Sequence, residues 1–285
     1  MTWEETIEYI RNKPEYNELV EKAYFDENLK LNIKRFGNSK ELIETLKIFN
    51  KYAPNAKTIL DIGCGNGIST INFALKGYTV TAVEPDLSRT VGSGAIKILK
   101  NDLNLNNIEV FEDFAENINF SSHTFDIVYM RQAMHHANDL NTFIKESVRV
   151  LKPGGLLVTV RDHVITDLED KDWFLKEHLL HKFYGGENAF KASEYRKAIL
   201  VAGATIKKEL KYYDSIINHF PKTEQQVNEE RDKQVIKQKN KLKKKLGIIA
   251  KLPLIWDLYK KVSGYQPLDE NHIPGRMYTY IALKK

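Results

Sequence analysis

Two periodicities alternate along the middle of the chain. Short apolar runs rich in β-favouring residues, at 58–62, 78–83, 108–111, 125–130 and 156–160, alternate with stretches whose apolar positions recur every three or four residues. The first kind predicts buried strands and the second amphipathic helices. In residues 140–151, Phe143, Ile144, Val148 and Leu151 fall on one helical face, and Lys152-Pro153-Gly154-Gly155 stops the run. Residues 87–103 read as a helix with unusually small residues at Val91-Gly92-Ser93-Gly94-Ala95-Ile96, where a close backbone approach is expected. Strands alternating with helices imply right-handed crossovers and a parallel sheet covered on both faces. Residues 193–202 read as a further helix and 204–213 as a strand. Residues 276–283 alternate well and are expected as a last strand, antiparallel to the one before it. The expected fold class is therefore α/β: a doubly wound, mostly parallel seven-stranded sheet with an antiparallel last strand and helical additions.

Outside that core, residues 1–52 read as a helical segment. Thr2 with Glu5 resembles a capping box, Pro14 suits the first turn of a second helix, and Leu42, Ile43, Leu46, Ile48 and Phe49 make an apolar face. Residues 24–28 and 35–37 mix aromatic and polar side chains, which fits a lid over a site and equally a helix covering a sheet edge. The core is expected over 53–214, with a substrate-side insertion at 164–190 where bulky residues alternate with His178, His181, Tyr184 and Glu187. Residues 215–275 are expected as a basic helical insertion, too long for a hairpin loop, before the last core strand in 276–285.

With 285 residues, 42% of them hydrophobic, the chain can bury one large domain with an elaboration. No run of about 18 apolar residues is present, so no membrane span is expected. The acidic N-terminus lacks the apolar core of a signal peptide, which fits a cytoplasmic protein. The single cysteine, Cys64, excludes an internal disulfide and a cysteine-rich zinc site. Net charge is +5, but residues 222–261 hold 12 Lys/Arg against 5 Asp/Glu, so the remainder is slightly acidic. The basic run continues into an apolar one that Pro253 is expected to divide into two helices. Three readings of residues 233–262 stay open: helices docked on the body or on a second copy of the chain, a basic amphipathic element on an anionic membrane surface, or a nucleic-acid contact. The last has the weakest support, because the lysines lack interleaved aromatics.

Candidate chemistry gathers at the carboxyl ends of the strands, where ligands of such sheets bind. The first strand runs into Asp61-Ile62-Gly63-Cys64-Gly65-Asn66-Gly67 and then a helix start, a turn whose glycines admit a ligand close to the backbone and whose free N–H groups favour polar or anionic groups. Glu84, 17 residues beyond Gly67, ends the second strand where it can accept hydrogen bonds from ribose hydroxyls. Phe114, Arg131 and Arg161 fall on the same edge.

Together, residues 60–67, the acid at Glu84, Phe125-Asp126-Ile127-Val128 and Arg149-Val150-Leu151-Lys152-Pro153-Gly154-Gly155 resemble class I S-adenosylmethionine-dependent methyltransferases (the type 11-like group), over about residues 55–165. The resemblance implies a Rossmann-like methyltransferase fold with S-adenosylmethionine as cofactor and a small-molecule acceptor. It places the methionine moiety on Asp61, Gly63, Cys64, Gly65, Asn66 and Gly67, the ribose on Glu84 beside Pro85, and the adenine on Asp113, Phe114 and Ala115. Many relatives carry Asp before an Ala at the adenine position; here Phe114 stands before Ala115, which implies stacking and a backbone bond in place of the carboxylate contact. Residues 91–96, 131–136 and 181–188 resemble a bacterial subgroup with members in surface-polysaccharide gene clusters, which implies a glycan-type acceptor.

Methyl transfer demands alignment, and an oxygen or nitrogen acceptor also needs a proton acceptor. His135 and His163 are the candidate bases, with His136 read as structural. Arg131 and Arg161, side by side near a cationic methyl donor, call for an anion: the cofactor carboxylate, a phosphate or carboxylate of the acceptor, or salt bridges to Asp162 or Asp126. Arg161, His181 and Tyr184 are the candidate acceptor-binding residues. No metal is expected, because no carboxylate completes a set with His163, His178 and His181. Two other functions share the glycine turn and its acid: an NAD(P)-dependent oxidoreductase, opposed by the Gly-x-Gly-x-Gly spacing, and a non-catalytic S-adenosylmethionine-binding or scaffold protein. A homo-oligomer is compatible with either.

Overall fold

A computed structural model describes residues 1–251, 253–263, 270–271 and 273–285. Eight strands form one sheet: β1 (Thr58–Ile62), β2 (Thr79–Val83), β3 (Ile108–Phe111), β4 (Phe125–Arg131), β5 (Leu151–Ile165), β6 (Phe190–Lys191), β7 (Ala204–Leu210) and β8 (Met277–Lys284). Their order is β3-β2-β1-β4-β5-β8-β7, with β6 pairing off this path onto the end of β5. β1 to β5 pair in parallel, and β8 runs antiparallel to both β5 and β7. The seven expected strands are thus present, and the two-residue β6 is an addition that the sequence pattern was too short to show.

Alternation along the central strands divides their side chains between two cores. Leu60, Val128 and Leu157 join the face covered by helices Leu140–Val150 and Ala192–Val201. Ile59, Ile127 and Val158 join the face covered by helices Lys40–Tyr52, Ile68–Leu75 and Ser93–Asp102. At the amino end of the sheet, the Asp126 carboxylate accepts from the backbone of Lys57 and Thr58 and from Lys152 Nζ at 2.7–2.9 Å, tying β1, β4 and β5 together.

Several expected boundaries move. The helix after β2 begins at Ser93, not near residue 87, because residues 87–92 loop through a turn at 89–91 and Ser93 N donates back to the Asp86 carbonyl at 2.7 Å. A Cβ on Gly92 would lie 2.3 Å from the Asp86 carbonyl oxygen, so the close approach expected there is to the chain's own turn. β5 starts at Leu151, and residues 152–155 bulge within it, opposite Asp126. A second register shift lies between Thr159 and Asp162, where Arg161 adopts φ 63°. In the basic insertion, helix Glu224–Leu246 ends at Gly247 and a second helix, Pro253–Ser263, begins at Pro253, which gives the two helices expected around that proline. Leu252, residues 264–269 and residue 272 of that insertion lie outside the described residues. No helix among the described residues is long and apolar enough to cross a membrane.

The N-terminal helices Trp3–Arg11 and Asn17–Lys22 lie over the carboxyl edge of the sheet, and Leu29–Gly37 packs against helix Ile68–Leu75 beside it. Thr2 and Glu5 form the expected capping box. Ile7 and Ile10 pack with Val91 and Leu180, so this segment and the 178–184 segment share one apolar cluster.

Candidate active site

Beneath that roof is a cavity of about 960 Å³, lined from the ends of β1, β2, β4 and β5 and from the two covering segments. It lies at the upper end of the range for small-molecule sites, roughly 300–1,000 Å³, which leaves room for two ligands side by side.

The turn after β1 forms one wall. Gly63, Gly65 and Gly67 take φ of 63°, 53° and 81°, conformations that an L side chain rarely adopts. Gly63, Cys64, Gly65 and Asn66 line the cavity. Gly67 does not: it opens helix Ile68–Leu75, and a Cβ there would meet Ile96 at 2.7 Å. Asp61 is also set back, fully buried, with its Oδ2 accepting from Ser69 and Thr70 hydroxyls at 2.8 and 2.7 Å. Its part is to pin the helix start, so a direct ligand contact from Asp61 or Gly67 is not what the geometry favours. Burial pushes the Asp61 carboxyl up to about 6 against the pull of those hydroxyls.

Glu84 lines the same wall. Its carboxylate accepts from Gly65 N at 2.6 Å and Asp86 N at 3.0 Å, which leaves a second lone-pair direction on each oxygen. Burial outweighs these donors and pushes the carboxyl up to about 7. Pro85, Asp113, Phe114 and Ala115 continue the wall, and the Phe114 ring is 59% exposed, free to stack.

Arg131 and Arg161 both reach the cavity, but the anion they call for comes from the chain itself. Glu41, on helix Lys40–Tyr52, is fully buried; Arg131 Nε and Nη2 donate to its two oxygens at 2.6 and 3.2 Å, and Arg161 Nη1 is 3.8 Å away. Arg161 Nη1 also donates to the carbonyls of Ile217 and Phe220 at 2.8 Å. Neither Asp162 nor Asp126 pairs with them, so Glu41 balances one of the two positive charges. Burial opposes the charge of Arg131, yet Glu41 holds it above its usual range; burial and the neighbouring Arg131 push Arg161 below. The rings of Tyr24 and Phe36 stand 5.8 and 5.7 Å from the Arg131 guanidinium, so the N-terminal segment grips this side chain from three positions.

The opposite wall is a histidine cluster around Glu187, a residue absent from the expected site. His135 Nδ1 is 3.1 Å from Asp162 Oδ1 and His135 Nε2 is 3.5 Å from Glu187 Oε2. His136 Nε2 and His178 Nδ1 both stand 3.9 Å from the Glu187 carboxylate, and Tyr184 OH donates to it at 2.7 Å. His163 Nδ1 faces the Gly275 carbonyl at 2.5 Å. Burial alone would depress His135, but its bonds to Asp162 and Glu187 outweigh this and raise it to about 9. Burial and the charge of His135 lower His136 to about 4 and hold His163 well below its usual value. His181 does not line the cavity; its Nδ1 accepts from the Glu187 backbone N–H at 3.3 Å, so it positions the glutamate. Tyr184 lines the cavity and packs against Trp3 with ring centroids 4.9 Å apart.

The expectation that no carboxylate joins these histidines is therefore corrected. Glu187 was legible only as an acid in a His-rich stretch, and Glu41 only as a charge beside the apolar face of its helix. Both have partners far away in sequence.

Residues 60–159 match a family described as a methyltransferase domain. A ubiquinone biosynthesis O-methyltransferase from Rickettsia typhi is 30% identical over 100 residues, which cover 35% of this chain and 39% of that one. A demethylmenaquinone methyltransferase from Oceanobacillus iheyensis is 32% identical over 118 residues, 41% of this chain and 48% of that one. The chain thus spans less than half the length of these curated relatives. A geranyl diphosphate C-methyltransferase from Streptomyces coelicolor, solved with Mg2+, geranyl diphosphate and S-adenosyl-L-homocysteine, superposes with a TM-score of 0.57 at 14% identity, covering 97% of this chain and 87% of that one. The fold is that of the methyltransferase Rossmann-like structures.

Proposed function

We propose that this chain, whose residues 60–159 carry the methyltransferase domain, transfers the methyl group of S-adenosylmethionine to an oxygen or nitrogen of a small acceptor. One observation carries the reading: the Gly63–Gly65 turn and the Glu84 carboxylate form one wall of a cavity whose other half is left for a second molecule. The donor set suits this cofactor. Glu84 keeps lone pairs for two ribose hydroxyls, the turn exposes backbone without Cβ atoms, and Phe114 offers a ring face to the adenine. When bound, the cofactor supplies an electrophilic methyl group, and the chain's task is to align the acceptor and exclude water.

The acceptor half is the wall of His135, His163, His178 and Glu187 beneath Trp3 and Tyr184. A hydroxyl or amine presented there meets groups able to share its proton. Glu41 balances only one of the two buried arginines, so one positive charge is left at the cavity wall, which supports an anionic group there, either the cofactor carboxylate or a phosphate or carboxylate of the acceptor. A surface-polysaccharide acceptor has no counterpart in the relatives named above.

Calorimetric titration with S-adenosylmethionine, with NADH and NADPH in parallel, tests the reading. Micromolar binding of the sulfonium alone is expected, with Glu84→Ala weakening it roughly 10–100-fold, the worth of hydrogen bonds to a charged group. Binding of a nicotinamide nucleotide alone, or normal affinity in Glu84→Ala, refutes it.

A further inference from the structure

Methyl transfer does not by itself require the donor set that surrounds Glu187. We propose that His135, His163 and Glu187 bind a divalent transition-metal ion of the zinc, iron or manganese kind, with its remaining coordination positions open to the cavity.

One ligating atom from each of these three residues lies within 4.8 Å of the others, and all three line the cavity. The rings are already oriented from behind. His135 Nδ1 is held by the Asp162 carboxylate at 3.1 Å, and His163 Nδ1 by the Gly275 carbonyl at 2.5 Å, so each ring is left with Nε2 for a ligand. Carboxylate and carbonyl partners of this sort are what fix the tautomer and direction of metal-binding histidines. Glu187 supplies the second sign. Its side chain is 7% exposed; Oε1 accepts from Tyr184, while Oε2 is buried without a hydrogen-bond partner, 3.5 Å from His135 Nε2. A buried carboxylate oxygen in that state calls for a cation; the protonated His135 supplies it in the ligand-free chain, and a metal ion would take its place with release of that proton.

Two imidazoles and one carboxylate match zinc-type and neighbouring first-row ions, which keep an open position when only three protein ligands are present. Magnesium and calcium favour all-oxygen sets. Metal–ligand bonds of about 2.0–2.2 Å require the ligand atoms to close from within 4.8 Å to about 3.4 Å apart, so the His163 ring has to shift along with Glu187. The ligands come from the end of β4, from β5 and from the segment before β6, so the site exists only in the folded chain. An acceptor oxygen on the open position would be acidified by the ion. That role rests on the proposed methyl transfer, whereas the binding does not.

The full chain, stripped of metal by dialysis against a chelator, is titrated with Co2+ as a spectroscopic probe, with Zn2+ as competitor and Mg2+ as control. One equivalent of Co2+ with a visible d–d band, displaced by Zn2+ and not by Mg2+, is expected. Glu187→Gln and His163→Gln each weaken the ion at least tenfold, and Asp162→Asn weakens it about 10–100-fold through the His135 ring. Circular dichroism and melting of each variant confirm that it is folded; a variant that unfolds is replaced by the other two. No Co2+ uptake by the wild-type chain, or uptake that all folded variants retain within twofold, overturns the proposal. Metal uptake without S-adenosylmethionine binding overturns the methyltransferase reading alone, and the converse overturns the metal site alone.

Discussion

Glu41→Gln is the substitution whose consequence follows most directly from the geometry. It keeps the volume of the side chain and removes the only carboxylate seen within 4 Å of either buried guanidinium among the described residues. At an effective dielectric constant near 20, a unit charge 4 Å away contributes about 4 kcal/mol, and Glu41 faces one cation at 2.6 Å and another at 3.8 Å. Repulsion between Arg131 and Arg161 and the cost of burying three charges offset part of this. The net cost of removing one partner from such a buried cluster is about 3–5 kcal/mol. For a chain of this size each kcal/mol moves the midpoint by roughly 2–4 °C, so a fall near 10 °C is expected in thermal melts, with a matching loss in urea titration. The double variant Glu41→Leu with Arg131→Met should lose less than Glu41→Gln, because it leaves one buried guanidinium, Arg161, without a carboxylate instead of two. A Glu41→Gln protein within 1 kcal/mol of the wild type, or a double variant less stable than the single one, would refute the reasoning.

Four further outcomes are expected. Glu84 titrates near 7 in the ligand-free protein, and ribose hydroxyls need the carboxylate, so S-adenosylmethionine affinity should fall as pH drops through 7, approaching tenfold per pH unit below it; calorimetry from pH 8 to pH 5.5 checks this, and Glu84→Gln should flatten the profile. The same raised value means that the native state binds more protons than the unfolded chain between about 4.5 and 7, so the Glu84 contribution to apo stability declines as pH rises through that window, a slope that urea titrations of Glu84→Gln should lack. Gly63→Ala would place a Cβ 2.6 Å from that of Ala133 at a positive φ, costing about 1–3 kcal/mol in urea titration together with weaker cofactor binding. Trp3→Ala removes ring contacts to Phe25 and Tyr184, worth about 0.5–1.5 kcal/mol each, and should speed proteolysis within residues 1–28; an unchanged cleavage rate would show that the roof is held elsewhere.

The α/β core was legible because its determinants are local. A run such as Thr58–Ile62 carries its own strand signal, the glycines that follow carry the turn, and Leu140–Val150 carries its own apolar stripe. The helix after β2 starts later than the local pattern implies because nothing local distinguishes its first residues from the turn before it; only the contact of Gly92 with Asp86 does. The charged parts of the cavity were less legible, since their meaning lies in partners distant along the chain. Arg131 is 90 residues from Glu41; the sequence shows that Arg131 calls for an anion but not that Glu41 supplies one. The available sign was the helical spacing of Glu41, Thr45 and Phe49, which puts a carboxylate on a buried stripe. Glu187 is harder still, because its four histidine neighbours come from three separate stretches of chain.

The matched domain, residues 60–159, supplies the Gly63–Gly65 turn, Glu84 and Phe114, whereas the roof comes from residues 3–25 and 178–187. Relatives that align over about a hundred residues therefore bear on the cofactor half and are silent on most of the acceptor half. The two halves are joined at a few polar points. Asn66 Nδ2 donates to the Tyr24 carbonyl at 2.7 Å, and Arg131, at the end of β4, is held by Tyr24, Phe36 and Glu41. Apolar packing alone would let the N-terminal helices slide over the sheet edge, since such contacts carry little direction. Hydrogen bonds and the buried ion pair fix their position relative to the glycine turn. Loss of Glu41 should consequently be felt in both halves: cofactor affinity through the turn that Asn66 ties to Tyr24, and acceptor binding through the roof that Trp3 closes.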